Sequence, residues 1–128
     1  MKFSTKAEYG LRAVLYLAKH YPYLKSITDI SIEENISAKY LEQIFNVLRN
    51  SEIIVSQKGK NGGYTLAKKP NELTVGEIVE TLEGKIEATK CKSANCQNSK
   101  CAAKQVWVKL SQEIKKTLDN IKLSDLIK

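Results

Sequence analysis

The three cysteines of this 128-residue chain, Cys91, Cys96 and Cys101, all fall in one polar stretch, CKSANCQNSKC, each separated from the next by four residues. Three thiols in so short a loop admit three chemistries. As thiolates they are the usual ligands of iron in an iron–sulfur cluster. They also suit zinc, which takes three or four cysteines in a closed tetrahedral site. Without a metal, exposed thiols made acidic by neighbouring lysines form a redox switch. Like charges held close oppose one another's ionisation. A bound cation relieves that cost, and Lys90, Lys92 and Lys100 add positive charge nearby. The spacing therefore favours a metal or cluster over a bare thiol switch. A tetrahedral site still needs a fourth donor, and the one histidine, His20, lies far away in the sequence.

The second set of chemistry-bearing residues is basic. Residues 1–70 carry 11 Lys/Arg against 6 Asp/Glu, residues 71–90 carry 2 against 5, and residues 91–128 carry 8 against 3. Between Ile53 and Asn71 there is no acidic residue, while Lys58, Lys60, Lys68 and Lys69 all lie there. A basic stripe confined to one segment is the footprint of a polyanion binder, provided the local fold presents it.

The pattern of elements does present it. A first helix is expected from about Ser4 to Tyr21, with Leu11, Val14, Leu15 and Ala18 on one face, a capping box at Thr5–Glu8, and Pro22 as its stop. A second helix is expected from about Thr28 to Glu34, with Ile30 and Ile32 as its apolar residues. Asn35 and Ile36 break the chain, and Ser37 is a good N-cap for a third helix, Ala38 to Asn50. That helix turns Leu41, Ile44, Phe45 and Leu48 inward, leaving Lys39, Tyr40, Glu42, Gln43, Asn46 and Arg49 outside. Two helices joined by so short a break form a helix-turn-helix. Two short strands, Ile53 to Lys58 and Tyr64 to Ala67, flank Gly59-Lys-Asn-Gly-Gly63 and read as a hairpin, the wing. Thr74-Val-Gly-Glu77 opens a fourth helix that buries Val75, Ile78, Val79 and Leu82 and ends at Gly84. A last helix, about Ala102 to Ile121, carries Trp107, Leu110, Ile114, Leu118 and Ile121 at steps of three and four. Its length and apolar stripe predict a dimer seam.

Several motifs in order, Ser4-Thr-Lys…Tyr9-Gly-Leu-Arg-Ala13, Ile36-Ser…Tyr40-Leu-Glu-Gln43, Gly59…Gly62-Gly-Tyr64-Thr-Leu66 and Leu73-Thr-Val…Glu77-Ile78, resemble the Rrf-type winged-helix transcription regulators of the IscR, NsrR and CymR kind. Glu87-Ala-Thr-Lys-Cys91 carries the resemblance into the cysteine loop, toward the cluster-binding branch. The resemblance implies a homodimer that binds double-stranded DNA at a pseudo-palindromic operator. It also implies an iron–sulfur cluster, 2Fe–2S or 4Fe–4S, on the three cysteines. It places base contacts at Lys39, Glu42, Gln43 and Lys58. There Gln suits adenine, Glu suits cytosine N4 and Lys suits guanine. Tyr40 and Arg49 would hold phosphates, with Lys60 adding charge to the wing. IscR-like members place a histidine three residues after the last cysteine, where this chain has Lys104, and their cysteines are spaced by five residues rather than four. NsrR-like members supply a carboxylate from near the N-terminus, by resemblance from the partner subunit, and Glu8 matches that position.

The expected fold class is thus mainly α: a winged helix-turn-helix with a two-stranded wing and a long C-terminal dimerisation helix. The expected division is 1–84 for DNA binding, 85–101 for the cysteine loop, and 102–128 for the dimer helix and tail. At this length one core is expected, burying roughly two-thirds of the unfolded surface. No apolar run is long enough for a membrane span and the start does not read as a signal peptide, so a reducing cytoplasm is expected. With one histidine and neither a nucleophile motif nor a phosphate loop, no catalytic set assembles. Two alternatives remain at this point. One is the same DNA-binding fold with a zinc site or thiol redox switch; the other is a cluster carrier that does not bind DNA.

Overall fold

The first helix, α1 (Thr5–Lys19), begins one residue away from the expected capping box. Ser4, not Thr5, is the cap: its Oγ accepts the Ala7 N–H at 3.1 Å. Its acidic partner comes from a distant helix, with Ser4 N–H and Oγ both donating to Glu83 Oε2 at 2.8 Å. The buried face is also rotated from the one expected. Ala7, Gly10, Ala13, Val14, Leu17 and Ala18 are buried, while Leu11 and Leu15 are only partly so. The reason is close approach: a Cβ on Gly10 would lie 2.1 Å from Leu82 Cδ1, so small residues face the neighbouring helix. The helix ends before a cis Tyr21–Pro22 peptide. The structure, a computed structural model, describes residues 3–86 and 102–127.

Helix α2 (Ile27–Glu34) opens on a reciprocal capping box that the sequence reading passed over. Ser26 Oγ accepts from Asp29 N–H at 3.0 Å, and the Asp29 carboxylate accepts from Ser26 N–H at 3.3 Å. Ile30 is fully buried, but Ile32, expected as its apolar companion, is 75% exposed. Two residues apart on a helix are about 200° around its axis, so both cannot face one core. Asn35 makes the break in the left-handed region, φ 54°, and Ser37 Oγ caps α3 (Ala38–Asn50) by accepting from Tyr40 N–H at 3.2 Å. The inner face of α3 is Leu41, Ile44, Phe45 and Leu48, as the spacing predicts.

Strands β1 (Ile54–Gln57) and β2 (Gly63–Leu66) pair antiparallel, Ile54 opposite Leu66 and Gln57 opposite Gly63. The wing is not free-standing. Lys25, in the turn before α2, exchanges two backbone hydrogen bonds with Tyr64, at 2.9 and 2.8 Å. At Gly63, with φ 154°, an added Cβ would lie 2.7 Å from the Lys25 carbonyl oxygen, so only glycine admits this contact.

A 3-10 turn (Pro70–Glu72) leads to α4 (Val75–Glu83), capped by Thr74 Oγ1 accepting from Glu77 N–H at 3.2 Å. The last long helix, α5 (Ala102–Asp119), stops two residues short of Ile121 and is followed by a short α6 (Leu123–Leu126) that the sequence reading missed. The cause is a strap: Val75 N–H donates to the Ile121 carbonyl at 2.8 Å and Leu123 N–H to the Leu73 carbonyl at 3.0 Å. Leu123 is fully buried in the same core as Leu17, Phe45 and Ile78. Beside the strap, a Cβ on Gly76 would sit 1.9 Å from Asp119 Oδ1, and Lys115 Nζ bonds Glu80 and Asp119, each at 3.0 Å. Those bonds, Glu80 first, hold the Lys115 ammonium above its usual pKa.

The apolar stripe of α5 divides. Ile114, Leu118 and Ile121 pack on the chain's own core, whereas Trp107 and Leu110 remain 42% and 40% exposed, with Val106 beside them. Among the described residues, the C-terminal half of the stripe is thus taken up by the chain's own core and the N-terminal half stays exposed.

Candidate nucleic-acid interface

The outer face of α3 presents Lys39, Glu42, Gln43, Asn46 and Arg49 to solvent. Arg49 Nη2 lies 3.4 Å from Asn46 Oδ1, a weak contact that leaves the guanidinium free to turn. Tyr40 differs from its neighbours. It is half-buried, its ring edge-on to Tyr9 with centroids 5.9 Å apart and planes at 78°. The Arg12 guanidinium stacks 5.4 Å from the centre of the Tyr9 ring. Arg12 also reaches the end of α2, with Nε 3.3 Å from Glu34 Oε1 and Nη2 donating to the Glu34 carbonyl. The chain Glu34–Arg12–Tyr9–Tyr40 therefore ties α1, the end of α2 and the start of α3 together at the helix-turn-helix break. Sequence reasoning missed Arg12, although Tyr9 and Arg12 at i and i+3 share one helix face.

The wing tip, residues 58–62, carries Lys58 and Lys60, both exposed. Gly62 N–H closes the turn on the Gly59 carbonyl at 3.0 Å, and an added Cβ at Gly62 would lie 2.1 Å from the Gln57 carbonyl oxygen. Phe45 on the inner side of α3 meets the Tyr64 ring of β2 at 4.8 Å and 60°. With the Lys25–Tyr64 pair, this aromatic contact holds the wing and α3 in one fixed relation. Exposed amide, carboxylate and ammonium groups on a helix beside a cationic hairpin have the chemistry to read base edges and neutralise phosphates. Apart from Glu42 in that row, acidic side chains are exposed on α2, at Asp29 and Glu33. Burial first, and then Glu33, Asp29 and Glu34, push the Tyr16 phenol pKa up.

Arg12→Ala should cost about 1–2 kcal/mol of stability, because it removes one hydrogen bond to a backbone carbonyl, one half-exposed ion pair and one cation–π contact. Urea unfolding followed by circular dichroism measures this; a loss within experimental error would mean the break is held by packing alone.

Cys91, Cys96 and Cys101 lie outside the described residues. Among the described residues no group of three or more His, Cys, Asp or Glu is arranged to hold a metal. Glu8 is exposed on the first turn of α1, one turn beyond the Ser4–Glu83 lock. That lock sets the Glu8 turn beside the last turn of α4, from which the chain runs toward the cysteines. His20 stacks on Tyr16 at 4.5 Å, at the far end of the same helix. No helix among the described residues is long and apolar enough to cross a membrane.

Comparison with known proteins agrees with this architecture. The chain is 36% identical over 130 residues to the HTH-type transcriptional regulator IscR of Aliivibrio salmonicida, covering 99% of this chain and 77% of that protein. The structure of CymR (YrzC), the global cysteine regulator of B. subtilis, superposes with a TM-score of 0.86 at 33% identity, covering 99% of this chain and 96% of that one. The T. potens IscR structure gives a TM-score of 0.83 at 35% identity over 99% of this chain and 86% of that one. These relatives are regulators, not enzymes, and their fold is the winged helix expected from the sequence. A family model described as Rrf2, iron-dependent transcriptional regulator, matches residues 3–128. With its motifs, its fold and that match in agreement, the chain belongs to the Rrf2 family of transcriptional regulators.

Proposed function

We propose that two copies of this chain bind a pseudo-palindromic operator, with affinity set by an iron–sulfur cluster on Cys91, Cys96 and Cys101. The observation that carries the DNA half is the exposed row Lys39, Glu42, Gln43 on α3, fixed beside the Lys58–Lys60 wing tip. In this reading residues 1–84 bind DNA, residues 85–101 hold the cluster, and residues 102–128 join the dimer. The exposed Val106, Trp107 and Leu110 support the last assignment. Paired recognition helices must then reach half-sites about 34 Å apart. A cytoplasmic setting fits both clustered thiols and a DNA partner.

Three thiolates suit iron as ligands, and the family's description as iron-dependent supports that metal. The fourth donor in this reading is Glu8 of the partner subunit, as the NsrR-like resemblance implies; its exposure on the first turn of α1 supports it. When bound, the cluster would supply a ligand-sensitive and redox-sensitive charge. The protein's own part is mechanical: Ser4 and Glu83 couple the Glu8 turn to α4, and Tyr9 couples that turn to Tyr40 on α3. The cluster must favour one arrangement of these contacts over another, or operator affinity does not change.

Anaerobic purification followed by visible absorption and iron, sulfide and zinc analysis is the direct test. A brown protein with matched iron and sulfide is the expected result. Cys96→Ala should then abolish the cluster-dependent change in operator binding, and a mutant regulated like the parent would sink the coupling. On the DNA side, Gln43→Ala should cost about 1–3 kcal/mol and relax preference at one base position. Lys60→Ala should weaken all sequences alike and lower the salt slope by about 1. Fluorescence anisotropy across a salt series separates the two effects.

A second reading keeps the DNA half and makes the cysteines a zinc site or thiol switch. Lys104 in place of a histidine donor, and likeness to Staphylococcus aureus CymR, whose structure is described as an oxidized form, favour it. Zinc in the metal analysis, or neither metal after anaerobic reconstitution, would move the assignment there.

A further inference from the structure

A cleft of about 350 Å³ lies where three elements meet: the end of α1 (Tyr21), the segment leaving the wing (Lys69, Pro70, Asn71) and α6 (Ser124, Ile127). Of its lining residues only Lys69 enters the DNA-binding reading, as one end of the basic stripe. Its volume falls at the lower end of the roughly 300–1,000 Å³ typical of small-molecule sites, and the cleft is shallow and open to solvent. The walls are chiefly carbon, from residues such as Tyr21, Pro70 and Ile127. The lining also includes one cation, Lys69, and two neutral polar side chains, Asn71 and Ser124. Among the described residues the side chains of Lys69, Asn71 and Ser124 make no hydrogen bond or ion pair. Among the described residues no acidic side chain lines the cleft.

We propose that this cleft binds a small monocarboxylate with an apolar body. The single lysine selects one negative charge. A cationic ligand would find no counter-charge, and a dicarboxylate would leave one carboxylate unpaired. The apolar walls reward a hydrocarbon or aromatic body, since burial of apolar surface is the main source of affinity in such sites. Position adds a consequence. A ligand here touches both sides of the junction between the wing exit and the C-terminal strap, so it stabilises the strapped arrangement by mass action.

The test is a titration of the isotope-labelled full chain with 4-phenylbutyrate, followed by amide chemical shifts, with the neutral 4-phenylbutyramide as control. Saturable shifts at Tyr21, Lys69, Asn71 and Ser124–Ile127 are expected. Binding should weaken about threefold for the amide and for Lys69→Glu, the loss that one solvent-exposed charge pair supplies. The rest of the variant's spectrum reports that its fold is intact. No saturation by about 10 mM would overturn the proposal, since that is weaker than a formed site should be. So would shifts centred on Val106–Leu110, or equal binding by the amide or by the Lys69→Glu chain.

Discussion

Leu123→Ala should lower the free energy of unfolding by about 2–5 kcal/mol, the range for truncating a fully buried leucine and leaving a cavity. Leu123 is 0% exposed and among the largest fully buried side chains, although it sits five residues from the end of the chain. Its backbone N–H is also committed, to the Leu73 carbonyl at 3.0 Å. A terminal segment that merely trailed from α5 would tolerate the change. The control is Leu126→Ala in the same short helix, where the side chain is 48% exposed and the expected cost is under about 0.5 kcal/mol. Chemical denaturation of both variants decides the matter: equal midpoints would mean that α6 is not part of the core.

Gly62→Val should weaken operator binding by about 10–100-fold, equivalent to about 1.4–2.7 kcal/mol, while leaving the thermal midpoint nearly unchanged. The added Cβ would lie 2.1 Å from the Gln57 carbonyl oxygen and 3.0 Å from the Lys58 carbonyl carbon. Both are backbone atoms, so the turn must open and carry Lys58 and Lys60 with it. The core is spared because residues 55–62 bury no side chain in it. Anisotropy at fixed salt and a melting curve together make the measurement. Normal affinity with a distorted wing would remove the hairpin from the interface; a large fall in midpoint would show that the wing is structural.

The parts of this fold legible from the sequence are those written in period and cap. On α3, Leu41, Ile44, Phe45 and Leu48 recur at helical spacing behind Ser37, and the wing follows from glycines between β-rich runs. What stayed hidden depended on partners distant along the chain. The Ser4 cap is completed by Glu83, 79 residues away. The buried face of α1 is built on Gly10 and Ala13, whose value lies in close approach rather than hydrophobicity. The end of α5 is set by Leu73 and Val75 claiming backbone partners at Leu123 and Ile121. Within the candidate site, the exposed row on α3 could be read from the sequence directly. Arg12 could not, because its role comes from meeting Glu34 across two helices. The cysteine ligands were legible as a set of donors, but spacing alone names no fourth ligand.

The bonds around α4 also have a mechanical meaning. Its N-terminal end is fastened by the strap and by Asp119, and its C-terminal end by Ser4 through Glu83. Among the described residues, the polar contacts that fasten α5 to α4 fall in its second half, where Lys115 meets Glu80 and Asp119 meets Gly76. Eighteen residues of α5, about 27 Å, lie against nine of α4, about 13 Å. Among the described residues, then, α4 is held at both ends, while the first half of α5 bears the exposed Val106, Trp107 and Leu110. A displacement of α5 along its axis would be felt first at Lys115 and the strap. From there the shortest path to the wing runs through Leu73 and the 3-10 turn, and the Lys25–Tyr64 and Phe45–Tyr64 contacts join the wing to α3, so the two move as one body.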